Sequence, residues 1–392
     1  MDIYIMSIFC LLLSFYGYKK DEKIINPLFI MPVIWGVFLL LYKIIPHRLY
    51  ELQEQFLFSL LIWVVSFLVG GYLIQSRREK TIAKNSLDNS LYNKLIFNCL
   101  FYLVLFLAPL TVYVLITEAM KVGFEYFFLK LRMINTGIDE DDTFSLGFLA
   151  YVFNLANVVL LLFTFYKEKV SNLKYYIVLV LAIILGLITL ARTSLVVLLL
   201  SIFVILYFKK LLKPKHYIYG FTIFFLFLFV ITFLREFHES DSSALEELQI
   251  YLFAGMPAFD TIDYKLQEQF GSYTLRFYYA VSNAFGGNYV VEKTILPYTT
   301  VPTLTNVYTV MFPFFKDFGF YGIAFFGFLY GLFINLIYKI ATTENSLGIL
   351  GYSIIFPILL LQFFGEYLFS NFSTYLQYLI ILLIPKFFKF VK

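Results

Sequence analysis

The chain has 392 residues, 61% of them hydrophobic and 14% charged, where soluble domains carry roughly 45–50% apolar and about 25% charged residues. With 49 Phe and 32 Tyr besides, this composition excludes a soluble enzyme or a soluble nucleic-acid binder and leaves a polytopic membrane protein with interfacial aromatic belts. The net charge of +4 says little as a total, and Cys10 and Cys99, both in apolar runs, supply neither a disulfide framework nor a cysteine-built metal cluster.

A transmembrane helix needs about 20 predominantly apolar residues. That rule marks eleven spans, at 2–18, 27–42, 56–75, 95–117, 147–166, 175–190, 195–208, 217–234, 318–338, 349–370 and 374–385. The expected fold class is therefore all-α: a polytopic membrane helix bundle of about eleven transmembrane helices, with 10 to 13 as bounds, forming a single membrane domain over residues 1–392. The first span lacks a positive leading region and is followed by Lys19, Lys20 and Lys23. This is the reverse of a cleavable signal, and it places the N-terminus outside.

Assigning the loops alternately from that start gathers most Lys and Arg on one side, which the positive-inside rule makes cytoplasmic. There lie Arg77, Arg78, Lys80, Lys84 and Lys94, the quartet Lys209, Lys210, Lys213 and Lys215, and the tail Lys386, Lys389 and Lys392. The two long hydrophilic segments, 118–146 and 235–317, fall on the acidic outer side, so chemistry is expected at that face. Within the larger one, Ala244–Phe253 has near-helical amphipathic spacing and Thr274–Phe285 is a second candidate helix. Gly255, Pro257, Gly286, Gly287, Pro297 and Pro302 punctuate it. A loop of this length with helices of its own reads as a folded cap over a membrane cavity.

Glycine-rich phosphate loops, HExxH and GxSxG are absent, and His47, His216 and His238 are the only histidines. The run Asp139, Glu140, Asp141, Asp142 contains an Asp-x-Asp of the kind that holds a divalent ion, but adjacent carboxylates in an outer loop read more simply as a solvated face. No metal and no cofactor is expected. Charges at span ends are more informative, because an ionisable group in hydrocarbon costs at least about 2.5–3.5 kcal/mol. Arg192 lies between two apolar runs at the outer boundary, as an anion clamp or as a snorkelling helix-end residue. Arg235, followed by Glu236 and His238, and Arg276, within Leu275-Arg276-Phe277-Tyr278-Tyr279, are basic residues on an otherwise acidic face. Their alternative role is a salt bridge to neighbours such as Glu236 or Asp260. Guanidinium keeps its charge when desolvated and binds phosphate bidentately, which favours a diphosphate ligand. Glu366, inside the tenth span, is placed to pair with an Arg or to act as a base.

Residues 306–334, beginning Asn-Val-Tyr-Thr-Val-Met-Phe-Pro-Phe-Phe-Lys-Asp-Phe-Gly-Phe-Tyr-Gly and running into a span with Gly327 and Gly331, resemble the segment that closes the large periplasmic loop of Wzy-type O-antigen and capsule repeat-unit polymerases. Asn306, Tyr308, Thr309, Asp317, Gly319 and Gly322 carry the likeness. Ala191-Arg192-Thr193-Ser194-Leu195 before a helix and Ala254-Gly255-Met256-Pro257-Ala258-Phe259 are also similar to that family. Arg276, with ten residues before Gly287, resembles one of the Arg-led loop motifs of some members; in the earlier loop Arg132 and Gly147 are separated by fourteen residues rather than the fifteen of the other.

The resemblance implies a GT-C-type glycosyltransferase of the bacterial inner membrane, expected to be metal-independent because the sequence offers no credible ligand cluster. It would transfer a growing glycan from undecaprenyl diphosphate to another undecaprenyl-diphosphate-linked oligosaccharide at the periplasmic face. Partners on this reading are the lipid-linked donor and acceptor, the bilayer and a chain-length regulator protein, with no nucleic acid. Diphosphate is already a competent leaving group, so fixed cations suffice where charge develops, and Arg192, Arg235 and Arg276 are the candidates. Glu236, His238, Asp317 and Glu366 are candidates for deprotonating the acceptor hydroxyl. Asn306, Tyr308, Thr309, Tyr278 and Tyr279 are the candidate substrate contacts. An O-antigen ligase differs only in acceptor, and the segment from Asn306 favours the polymerase. A flippase or other secondary transporter would show paired half-repeats, which the sequence lacks.

Overall fold

The computed structural model describes residues 2–76, 91–136, 144–189, 192–213, 222, 244–265, 267–293 and 295–388. In chain order these form α1 (Ile3–Asp21), α2 (Pro27–Ile44), α3 (Glu54–Gln75), α4 (Lys94–Met120), α5 (Phe127–Thr136), α6 (Tyr151–Phe165, entered through the 3-10 turn Gly147–Ala150), α7 (Asn172–Ile188) and α8 (Arg192–Phe208). The loop helices α9 (Ala244–Phe253), α10 (Gly255–Asp260) and α11 (Arg276–Ala284) follow, then a minimal hairpin of β1 (Thr299–Thr300) and β2 (Leu304–Thr305). The chain ends with α12 (Phe312–Thr342), α13 (Ser346–Leu360) and α14 (Phe372–Phe387).

Ten of the eleven spans fall on described helices, and the eighth, 217–234, lies outside the described residues but for Thr222. Pro27–Ile44, Glu54–Gln75, Lys94–Met120, Gly147–Phe165 and Phe312–Thr342 are long and apolar enough to cross a membrane, and four shorter apolar helices accompany them. The protein is a polytopic helical membrane protein. The two helices expected in the large loop are present as α9 and α11.

The tenth span departs from expectation. Its helix, α13, stops at Leu360, and the Leu361 carbonyl accepts from the N–H groups of Phe364 and Gly365 to turn the chain. The residues that follow are apolar because they pack inside the protein: Phe363 stacks on Phe38 at 4.0 Å between ring centroids, and Phe369 lies 5.8 Å from Phe314. Hydropathy alone does not separate that burial from exposure to lipid. In α12, Gly319 adopts φ 61° and ψ −149°, a conformation closed to residues with a Cβ. It sets the opening segment of the helix, with Asp317, apart from the span.

The chain divides into two compact units, the first comprising Met1–Lys84, Ser242–Thr343 and Ile358–Ser373, the second Asn85–Asp241, Glu344–Pro357 and Thr374–Lys392. In the first, α3 and α12 meet backbone to backbone: a Cβ on Gly331 would lie 2.1 Å from the Phe67 carbonyl oxygen, and one on Gly70 2.4 Å from that of Phe328. Small residues allow the close approach that drives helix association in lipid. Gln75 ties this pair to the start of α2, donating to Asn26 Oδ1 at 2.9 Å and Asn335 Oδ1 at 2.8 Å.

The N-terminus of α3 has no capping side chain of its own, Gln53 making no such bond. Asp260, at the end of α10, supplies the cap: its carboxylate accepts from the N–H groups of Gln53 and Phe56, both at 2.7 Å. Gln55 returns bonds to the carbonyls of Phe259 and Ile262. The Ala254–Phe259 stretch is thus seated on the end of a membrane span.

In the second unit, α6 carries two amides into α14. Asn154 donates to Gln377 Oε1 at 2.6 Å and Asn157 to the Tyr378 hydroxyl at 3.3 Å. Lys209 at the end of α8 reaches the Phe165 carbonyl and Glu168, both at 2.7 Å.

Candidate functional site

Arg276 opens α11, and its position is fixed from two directions. Before it, the turn through Ser272, Tyr273 and Thr274 is held by Asp317. That buried carboxylate accepts from Ser272 Oγ (3.3 Å), Tyr273 N (3.2 Å) and Thr274 N (2.7 Å). Beyond it, the guanidinium donates through Nε to the Glu292 carbonyl at 2.5 Å and through Nη1 to the Ser370 carbonyl at 3.4 Å. Burial pushes the Arg276 pKa below its ordinary value while the Glu292 charge raises it. An arginine starts high enough to stay protonated regardless.

Ser370 belongs to a turn built around Glu366, which is 8% exposed. Glu366 Oε1 accepts from the Tyr330 hydroxyl and from the N–H groups of Leu368 (2.7 Å) and Phe369 (2.8 Å). Its Oε2 accepts from Ser370 N (2.7 Å) and Ser370 Oγ (2.9 Å). Five donors meet the roughly four lone-pair sites of an ionised carboxylate, and no described arginine touches it. Beneath the turn, Tyr330, Phe314, Phe326, Phe369 and Trp63 form one aromatic cluster.

Asn306 is half-buried and makes no hydrogen bond among the described residues. Tyr308 is buried with its ring 4.4 Å from that of Phe312, and its hydroxyl donates to the Pro297 carbonyl at 3.1 Å. Burial, aided by the Tyr273 charge, pushes its pKa up to about 12, so it remains a donor. Thr309 is fully buried. On α11, Tyr278 is 61% exposed, whereas Tyr279 is buried and its hydroxyl donates to the Phe270 carbonyl. Of the residues singled out in sequence, Arg276, Asp317 and Glu366 converge on the start of α11, while Tyr278 and Asn306 present accessible groups.

Arg235, Glu236 and His238 lie outside the described residues, as do Asp139 to Asp142. Arg192 is the first residue of α8 in the second unit, and its side chain is likewise outside. Arg132 lies on α5, and Gly147 opens the 3-10 turn before α6. Among the described residues no group of three or more His, Cys, Asp or Glu is placed to hold a metal.

Sequence reasoning weighed Asp260 only as an ion-pair partner, where the structure uses it as a helix cap, and it passed over Ser370 and Gln362. Gln362 carried a visible signal, a polar residue within an apolar span. Ser370 acts largely through its backbone, which composition does not reveal.

A cation held by backbone carbonyls suits an anionic ligand, and the exposed Tyr278 ring on the same helix can offer a face to a sugar. A family model described as "Putative O-antigen polymerase" matches residues 23–362. No curated protein and no solved structure matches the chain.

Proposed function

The chain belongs to the O-antigen polymerase family, and from that premise we propose that it polymerises undecaprenyl-diphosphate-linked oligosaccharide repeat units at the periplasmic face of the inner membrane. Membership makes it a glycosyltransferase-type membrane polymerase acting on lipid-linked oligosaccharides. The finer reading has the growing glycan leave its undecaprenyl diphosphate and join the non-reducing sugar of the next repeat unit. A chain-length regulator is the protein partner. The observation that carries this is the family match across residues 23–362, which takes in Arg276 and the Asn306–Gly322 segment.

As the glycosidic bond breaks, negative charge grows on the diphosphate, and a preorganised guanidinium stabilises it without reorganising. Arg276 fills that role, and Arg192 and Arg235 are further candidates on sequence alone. The acceptor hydroxyl must lose a proton as it attacks. Asp317 and Glu366 are committed to backbone donors, so the base falls to Glu236 or His238. Tyr278 offers a ring face to a sugar, and Asn306 offers an amide to its hydroxyls. Tyr308, Tyr279 and Thr309 are buried and act as packing beneath the accessible groups of their own segments. Turnover needs no metal.

The glycan pattern of a strain lacking the chain tests this. One repeat unit on each lipid core is the expected outcome. No attached glycan would instead identify a ligase or flippase, and a normal ladder would refute all three.

A further inference from the structure

The chain has two tryptophans, Trp35 on α2 and Trp63 on α3. Both indole N–H groups donate to one atom, Gln362 Oε1, at 3.0 and 2.9 Å, and all three side chains are 0% exposed. The backbone oxygen of the same residue accepts from Val310 N at 2.8 Å. Next to it, the Phe363 carbonyl closes on Gly255 so tightly that a Cβ there would come within 2.8 Å. The side chain of residue 362 therefore grips two membrane helices, while its main chain carries the end of the segment that holds Asn306, Tyr308 and Thr309.

Packing alone does not explain a glutamine here. Its Nε2 is buried with no partner among the described residues, as is the Thr309 hydroxyl. A buried donor left unpaired is costly, and replacing donors and acceptor together by apolar groups is nearly neutral. An apolar core would serve stability equally well.

We propose that Gln362 is a positioning residue, which fixes the Asn306–Thr309 segment relative to the Glu366–Ser370 turn that receives Arg276. Its catalytic consequence rests on the polymerase reading, whereas its geometric consequence does not. It touches no substrate and acts through the register of the segment it holds.

The test uses two variants of the full chain in lipid nanodiscs: Gln362→Met, and the same change combined with Trp35→Phe and Trp63→Phe. The triple variant leaves no indole unsatisfied, so it keeps the fold while lacking the grip. A cysteine introduced as Asn306→Cys in a Cys99→Ser background, with Cys10 buried, reads the segment without reference to activity. Labelling of that cysteine should quicken about tenfold in both variants. With lipid-linked repeat units, KM for the acceptor should rise about tenfold with kcat within about threefold, in both variants alike. Unchanged labelling would overturn the positioning role, and so would a wild-type KM in the triple variant, which would show that only the unsatisfied indoles mattered. Faster labelling in a chain whose unaltered form makes no polymer would support the grip and refute the polymerase reading alone.

Discussion

Arg276 and Glu366 meet on a single residue: the Ser370 carbonyl accepts from the guanidinium, while the Ser370 N–H and hydroxyl donate to the carboxylate. The two charges are joined through a serine without touching among the described contacts. The acid shapes the turn, the turn presents a carbonyl, and the carbonyl helps aim the cation. This separates the roles of two residues that look interchangeable as partners in sequence.

Replacing Arg276 by Ala should lower polymer output roughly a hundredfold to a thousandfold at normal protein abundance, matching the ~2.7–4 kcal/mol lost with one preorganised donor. Lys should restore only part, since it keeps the charge and loses the planar fork. Glycan ladders quantified against membrane protein levels decide it, and a full-length ladder from Arg276→Ala would remove the residue from the mechanism.

Glu366→Gln should behave differently, as a folding defect. An amide places an NH2 where N–H donors converge, and each buried donor left without an acceptor costs about 1–3 kcal/mol. Thermal unfolding of the purified protein should show a lowered midpoint, with Tyr330→Phe lowering it less because four donors remain. A fully stable but inactive Glu366→Gln would return the residue to the list of candidate bases.

Asp260→Ala should destabilise by about 0.5–2 kcal/mol by uncapping α3, with Asp260→Asn retaining part of the cap. Because Asp260 caps a helix and does not pair with Arg276 among the described contacts, ladder length in surviving protein should be normal. Shortened ladders at full abundance would show that the seat of α10 matters to chemistry directly.

Excess EDTA should leave turnover intact, and neutralising Asp139 to Asp142 should leave most of it. A complete loss that a divalent ion reverses would assign the acidic run to a metal.

Asn288, exposed in the large loop, should label as Asn288→Cys from the outer side in a Cys99→Ser background. Labelling only from the cytoplasm would put the start of α11 on the wrong side of the membrane for a periplasmic diphosphate.

Helix placement was legible from hydropathy because apolar runs of the required length have few other destinations. The run 349–370 misled because Phe363, Phe364 and Phe369 are apolar for a different reason, packing against Phe38, Tyr251 and Phe314. Charged residues were equally visible as candidates, but their partners were not. Asp317 and Glu366 are satisfied mainly by main-chain N–H groups, which every sequence has at every position. Gln362 and its two tryptophans lie about 300 residues apart along the chain, beyond the reach of any local pattern.

The seam between α3 and α12 has a consequence for how this unit evolves and moves. With the Gly331 and Gly70 positions closed to even one methyl group, the two helices behave as a single stiff strut, without clearance to slide or swell past each other. Movement within this unit should therefore be borne by parts that lie off the strut. Adaptation to a new repeat unit follows the same division. It should accumulate in loop side chains such as Tyr278 and Asn306, while the strut serves as the fixed frame against which such changes are tolerated.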